Sequence, residues 1–366
     1  MSSVWLPCGD YHQDYAKDQS WWQTGFIKFK MILLLAIVFI GIPLFLPGYY
    51  LSVATIVGYT AMGALGVQLL IGYTGLITLG HAAFLAVGAY ASTLLVLQFP
   101  WPQFFVDWGL AYPLSILVAG LVAGLWSVLF GLPSAKVKGF YLILTTMAAQ
   151  FITVDFFLTQ YISQIGGRGQ AFSLPPGIIK IGPWVIDTEM KVYYLMAVLL
   201  TLMIIVLANL LRSKPGRAWV AIRDNDIAAM ALGINIVWYK LLAFFVAGFF
   251  AGVGGAFWVS NTAALSPEHF PWFWSLWLVG VILIGGVGSI HGAIFGSLFM
   301  VVVMEALQWA VIPLSAYYPK LLIDFAYIKD SAFGLAICAF LIYEPNGIAY
   351  RWWQIKNYFN LWPFSY

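Results

Sequence analysis

The chain has 366 residues, of which 62% are hydrophobic and only 8% charged, and its mean hydropathy is +0.90. Such a balance excludes a water-soluble surface and calls for a bilayer as solvent. A net charge of +3, carried by basic residues scattered among loops without an aromatic platform, excludes a nucleic-acid partner.

In chain order, residues 1–30 form a polar tail holding Asp10, Asp14 and Asp18 with Lys17, Lys28 and Lys30. The first apolar run, from Met31, is an anchoring span and not a cleavable signal. Apolar segments follow at 31–47, 50–71, 77–98, 112–133, 139–161, 191–211, 239–260, 271–286, 290–312 and 331–344. At about 20 residues per span these predict an all-α polytopic membrane protein of about ten transmembrane helices. They form one transmembrane domain over 31–345, followed by a tail at 346–366. The eighth and tenth segments are short enough to be re-entrant or broken helices.

An even count places both termini on one side. With that side cytoplasmic, Lys17, Lys28, Lys30, Lys136, Lys138, Arg212, Lys214, Arg217, Arg223, Lys240, Arg351 and Lys356 lie inside, and Arg168, Lys180, Lys191, Lys320 and Lys329 outside. The positive-inside rule favours this orientation. Trp and Tyr gather at segment ends, as at Tyr49 and Tyr50, Tyr317 and Tyr318, and Trp352 and Trp353, which suits interfacial anchors. The one long outer connection, 162–190, carries Gly167 and Arg168 and is the expected docking surface for an external protein. Cys8 and Cys338 fall in the tail and in an apolar run, and make neither a disulfide framework nor a metal site.

Between two of these apolar segments lies LRSKPGRAWVAIRDNDIAAMALGINIVWYKLL, from Leu211 to Leu242. It predicts a polar cytoplasmic helix over about 216–235, closed by a left-handed cap at Gly233. Small residues at Ala221, Ala228 and Ala229 form a stripe on one face that permits close approach of a partner. Arg217, Arg223, Asp224 and Asp226 would fix its register through charge-assisted hydrogen bonds.

Ile227-Ala228-Ala229-x-x-x-Gly233 resembles the Glu-Ala-Ala-x-x-x-Gly loop of ABC importer permeases, with Ile227 where the Glu would stand. GYTGLITLGHAAFLAVGAY at 72–90, KGFYLILTTMAAQF at 138–151, LLAFFVAGFFAGVGGAF at 241–257 and VILIGGVGSIHGAIFGS at 281–297 resemble, in that order, the branched-chain amino acid ABC importer permeases. Gly166-Gly167-Arg168-Gly169 departs from the Thr-Gly-Gly-Pro-Asn-Gly-like turn of that family. The resemblance implies a type II importer-like subunit in a bacterial inner membrane. It implies four kinds of neighbour: a second homologous permease, two ATP-binding cassette subunits, an extracytoplasmic substrate-binding protein and membrane lipid. No cofactor is expected on the chain itself, ATP being bound by the partner subunits.

Within the spans, Glu305 is expensive in hydrocarbon and either lines the pathway or makes an interhelical hydrogen bond. Asp155 either lines the pathway or reaches headgroups from its span end. Gln68, Thr74, Thr78, Thr145, Thr146 and Gln150 either line a polar route or join helices. His81, at the mouth of a helix, either meets substrate or caps a turn. No Gly-x-x-x-x-Gly-Lys-Ser/Thr, His-Glu-x-x-His or Gly-x-Ser-x-Gly occurs, so neither a P-loop nor a hydrolase is expected. The function expected is import of branched-chain or other hydrophobic amino acids. The rivals are import of urea, an amide or a small organic acid by the same architecture, and an ion-coupled secondary carrier.

Overall fold

The computed structural model describes residues 25–137, 139–162, 172–173, 179–182, 184–262, 264–315, 318, 320 and 324–361. In hydrocarbon each backbone N–H and C=O must be satisfied within its own segment, so apolar runs of this length become helices. Among the described residues the long apolar helices are α1 (Lys28–Phe45), α2 (Gly48–Tyr73), α3 (His81–Leu97), α4 (Ala111–Lys136), α5 (Phe140–Tyr161) and α6 (Glu189–Arg212). Then come α7 (Lys214–Asp224), α8 (Asp226–Ala231), α9 (Ile236–Thr262), α10 (Trp272–Gly285), α11 (Ile290–Ser315), α12 (Phe325–Tyr343) and α13 (Ile348–Leu361). This is a multi-pass membrane protein.

Each predicted segment finds its helix, with four differences. The helix of α1 extends back beyond its membrane-length stretch to Gly25, inside the expected tail, and α12 begins at Phe325 and not near 331. A fourteen-residue helix, α13, occupies the expected C-terminal tail. Its aromatic and basic residues gave no apolar run, and it is held by Arg351 Nε donating to Glu344 at 2.6 Å. Finally, α3 is only 17 residues long and starts at His81, because residues 76–80 are non-helical. The backbone N–H of Leu79 donates to Thr146 Oγ1 at 3.1 Å, and Gly80 lies directly against the Thr146 carbonyl, so α3 begins inside the bundle beside α5.

The centre is α9. Of its apolar stretch 78% is buried, against 6% for α1 and for α12, which therefore form the rim. α9 packs on α4, α3 and α2 along a seam of small residues. Gly88 of α3 meets the backbone of Gly252, Gly252 also faces Ala123 of α4, and Gly255 meets the Leu85 carbonyl. A hydrogen atom in place of a side chain is what allows this approach, and the closeness supplies the dispersion and polar contacts that hold helices together in lipid. Ser127 Oγ uses it to donate to the Phe244 carbonyl at 2.7 Å.

The connections segregate by end, as alternating spans require. At one end Gly72 touches Gly288 and Gly347 touches Gly286, next to α7 and α8. At the other, the Gly182 N–H donates to the Gly109 carbonyl at 3.3 Å, and two short strands pair antiparallel. These are β1 (Phe172–Ser173) and β4 (Ala264–Leu265), with Phe172 opposite Leu265. A second pair, β2 (Lys180–Ile181) with β3 (Trp184–Val185), makes a hairpin at that end.

Candidate coupling and translocation site

The polar stretch predicted as one helix is two. Asn225 adopts an extended conformation (φ −161°, ψ 107°), and its side-chain oxygen accepts from the Ala228 N–H at 3.1 Å. That is an N-cap, which starts a new helix and so stops the old one. The six-residue α8 then closes on Gly233 at φ +84°, with the Gly233 N–H donating to the Met230 carbonyl and the Ile234 N–H to the Ala229 carbonyl. This pair of bonds is a Schellman motif, so the left-handed cap expected at Gly233 is present.

α7 is rooted in the bundle by Trp219, fully buried, whose Nε1 donates to the Tyr239 carbonyl at 2.8 Å. Of the small-residue stripe, Ala229 is buried and Ala221 half-buried. The outward surface is apolar: Ile227, Met230 and Leu232 are 69%, 61% and 80% exposed. Ala228 is exposed beside them. Large apolar groups on the surface of a polar helix pair are the signal that charge-based reasoning passed over. Arg217, exposed, donates to the Arg212 carbonyl at 3.1 Å, and Asp226, half-buried, opens α8.

Arg223 points the other way. Its Nη1 donates to the Gly72 carbonyl at 2.8 Å, while Nε and Nη2 hold Asp224 at 3.0 and 2.9 Å. Gln68 reaches the same place from α2, its Nε2 donating to the carbonyls of Gly286 at 3.1 Å and Ser289 at 2.8 Å. Two side chains therefore tie α7, the last turn of α2 and the turn between α10 and α11 into one knot. Gln68 opens a π-helical turn, Gln68–Tyr73, and such widened turns recur at functional sites. Thr74 belongs to this end, its hydroxyl donating to the Leu69 carbonyl at 3.0 Å.

The remaining pathway candidates fall in two places. Thr78, His81, Thr145, Thr146 and Gln150 gather where α3 begins against α5. There the Gly80 N–H donates to Thr78 Oγ1 at 3.3 Å, Thr145 pairs with Ser134 at 3.0 Å, and the His81 ring lies on Gly66 and edge-on to Phe84. From this point a polar thread crosses the bundle. The Ala82 N–H donates to Ser275 Oγ at 2.9 Å, Ser275 donates to Gln150 Oε1 at 3.4 Å, and Gln150 Nε2 donates to the Phe270 carbonyl at 3.0 Å. Glu305 stands apart on α11, accepting from the Tyr49 hydroxyl at 2.6 Å, which itself accepts from Trp309 Nε1 at 3.1 Å. Asp155 is exposed on the π-helical half of α5. Gly167 and Arg168 lie outside the described residues. Among the described residues no group of His, Cys, Asp and Glu has a metal-holding arrangement.

Residues 49–326, which span α2 to the start of α12, match the family described as branched-chain amino acid transport system / permease component. The chain belongs to this family. It is 28% identical over 306 residues to the high-affinity branched-chain amino acid transport system permease protein LivM of Salmonella typhimurium, covering 77% of this chain and 69% of that protein. The probable branched-chain amino acid transport permease protein LivM of Methanocaldococcus jannaschii is 24% identical over 311 residues, 83% and 85% of the two chains. An autoinducer 2 import system permease protein, LsrC of Photorhabdus laumondii, is 26% identical over 152 residues, 40% and 42% of the two chains. No solved structure gives a significant match. The family match contains the knot, α7, α8 and the whole polar thread.

Proposed function

We propose that this permease is one half of an ATP-driven importer of branched-chain or other hydrophobic amino acids. It would pair with a second permease, two ATP-binding subunits and an external substrate-binding protein. The observation that carries the reading is the apolar surface of Ile227, Met230 and Leu232, raised on two polar helices whose Arg223 grips the Gly72 turn. A partner seated on that surface and changing shape with ATP would pull on α7. Through Arg223 and Gln68 it would loosen the contact between the Gly72 turn and the Gly286–Gly288 turn, so opening that end of the bundle. The chain itself does no bond chemistry and needs no cofactor; it contributes two packings whose balance the partner shifts.

The twelve-to-five distribution of basic residues supports an inner-membrane orientation with α7, α8 and both termini in the cytoplasm. The relatives named LivM support amino acids as cargo, while the one named LsrC is a reminder that related permeases serve other cargo. The test is affinity purification of the intact complex, followed by uptake in sealed vesicles. Two nucleotide-binding chains, a second permease and ATP-dependent leucine uptake are expected. A homo-oligomer carrying leucine on an ion gradient would establish the secondary carrier instead.

A further inference from the structure

At the β-strand end of the bundle, the polar thread finishes at Phe270, and Phe270 forms the floor of a pocket that none of the chemistry above uses. Tyr59 and Thr60 of α2, Trp258 of α9, Trp274 of α10 and His269 of the preceding turn line it, together with the apolar Gly63, Leu85 and Leu278. The rings are mutually arranged. Tyr59 and Trp274 stack with centroids 6.5 Å apart and planes at 16°, and Trp258 meets Phe270 and His269 each at 5.1 Å. The interior has room for no more than about one water, so a ligand enters only if the Tyr59 and Trp274 rings part.

The chemistry of the rim is specific. His269 Nδ1 accepts the Ser266 N–H at 3.1 Å, which leaves Nε2 as the protonated nitrogen of the neutral ring, a donor. Glu268 is exposed on the same turn. An apolar cavity with a neutral-ring donor on one of its lining residues has the complement of an apolar group that carries a carboxylate. The turn is also attached to something. Leu265, one residue before its cap Ser266, pairs with Phe172, and Phe172 packs edge-on against Tyr90 of α3. Residue 172 lies in the long 162–190 connection, so a push on that connection reaches the pocket rim through a single strand pair.

We propose that this aromatic pocket is the entry subsite of the permease, taking the apolar side chain of an amino acid while His269 Nε2–H binds its carboxylate. The β1–β4 pairing would carry motion of the outer connection to the rim. The proposal rests on the importer reading for the direction of entry only; the recognition chemistry belongs to the pocket itself.

The experiment uses the complete complex in proteoliposomes, with radiolabelled leucine and phenylalanine as probes. Trp274→Ala and Tyr59→Leu enlarge the cavity and are expected to raise the phenylalanine-to-leucine uptake ratio by about tenfold, the scale at which apolar pockets discriminate by size. Trp274→Phe, a milder change that keeps a ring, gives a smaller shift in the same direction. His269→Leu raises KM for both probes by about tenfold or more, and His269→Gln, which restores an N–H donor, recovers most of it. Co-purification of the other subunits shows that each variant has assembled. An unchanged substrate ratio in assembled Trp274→Ala, Tyr59→Leu and Trp274→Phe overturns the proposal. If uptake by the unaltered complex ignores ATP, the importer reading fails, and the same ratios measured under an ion gradient still decide the pocket.

Discussion

Glycine serves two different constraints at the two ends of this molecule's logic. Along the α3–α9–α4 seam, Gly88, Gly252 and Gly255 are ordinary helical residues, and what matters is the missing Cβ, because another backbone occupies its place. At the α7–α8 end, Gly75, Gly233, Gly286 and Gly288 have φ of +72°, +84°, +115° and +82°, so there the backbone conformation matters. Gly233 isolates the second cause, since a Cβ there would meet nothing within 4 Å. The seam is therefore built for permanence, through contacts that no side chain can replace. At that end the contacts are hydrogen bonds, from Arg223 to the Gly72 carbonyl and from Gln68 to the Gly286 and Ser289 carbonyls.

If that contrast holds, the largest effect belongs to the seam. Gly252→Leu must part α9 from α3 and α4, and should cost about 3 kcal/mol or more, seen as loss of monodisperse protein and a lower Tm in detergent. A variant of wild-type Tm would mean that the seam is not the structural centre.

Next comes a change that should leave stability alone. Met230→Asp with Leu232→Asp alters only exposed side chains, so Tm should hold while co-purification of the ATP-binding subunits falls by about tenfold or more. Retained binding would move the docking surface elsewhere on the protein.

Arg223→Ala removes a charged donor from the Gly72 carbonyl and should cost about 1.5–3 kcal/mol locally. Amide exchange at 72–80 and 286–290 should quicken, with little change at α9. Arg223→Lys should rescue only part of this, because an ammonium group cannot match the guanidinium fork that holds Asp224 and Gly72 together. Equal exchange in the arginine and alanine proteins would show that the grip is not a lock.

Gly233→Ala should cost about 1–2 kcal/mol for its left-handed backbone, and Gly233→Asn distinctly less. If alanine and asparagine proved equally harmful, space and not φ would be the constraint there.

The smallest effect is electrostatic. The hydrogen bond from Lys191 at 2.7 Å holds the Asp187 carboxyl below the ordinary carboxylate range. The stability this pair contributes is present above the ordinary value of about 4 and is lost as pH falls through the lowered one. Both groups are exposed, so the slope of Tm with pH should be slight, and Lys191→Met should flatten it. A steep acid slope that survives Lys191→Met would have to come from other carboxylates.

Several features were legible because they are local. Hydropathy is a property of a window of residues, and each predicted span found its helix. The left-handed cap at Gly233 was readable because so few residue types accept that conformation. The break at Asn225 was also written in the sequence, as an N-cap residue three positions before Ala228, but the continuous run of helix formers on either side concealed it. Helix spacing put Ala221, Ala228 and Ala229 on one face, but it could not tell that Ala229 is buried while Ala228 is exposed, because the helix breaks at Asn225 between them.

By itself, then, the sequence determined that the chain is a multi-pass, all-helical membrane protein and where its apolar helices fall, since both follow from the transfer cost of short segments. The tertiary structure alone decided which way each polar side chain faces. Arg223 reaches back to the Gly72 carbonyl. Gln68 became a clasp from α2 to a turn more than two hundred residues away. Glu305 was set apart from the other pathway candidates, and Phe270, Trp258 and Trp274 were drawn into one pocket. The physical reason is that a helix of given hydropathy can rotate about its axis at almost no cost in lipid. Only the fit of neighbouring helices, here glycine against backbone, fixes the rotation and with it the chemistry each face presents.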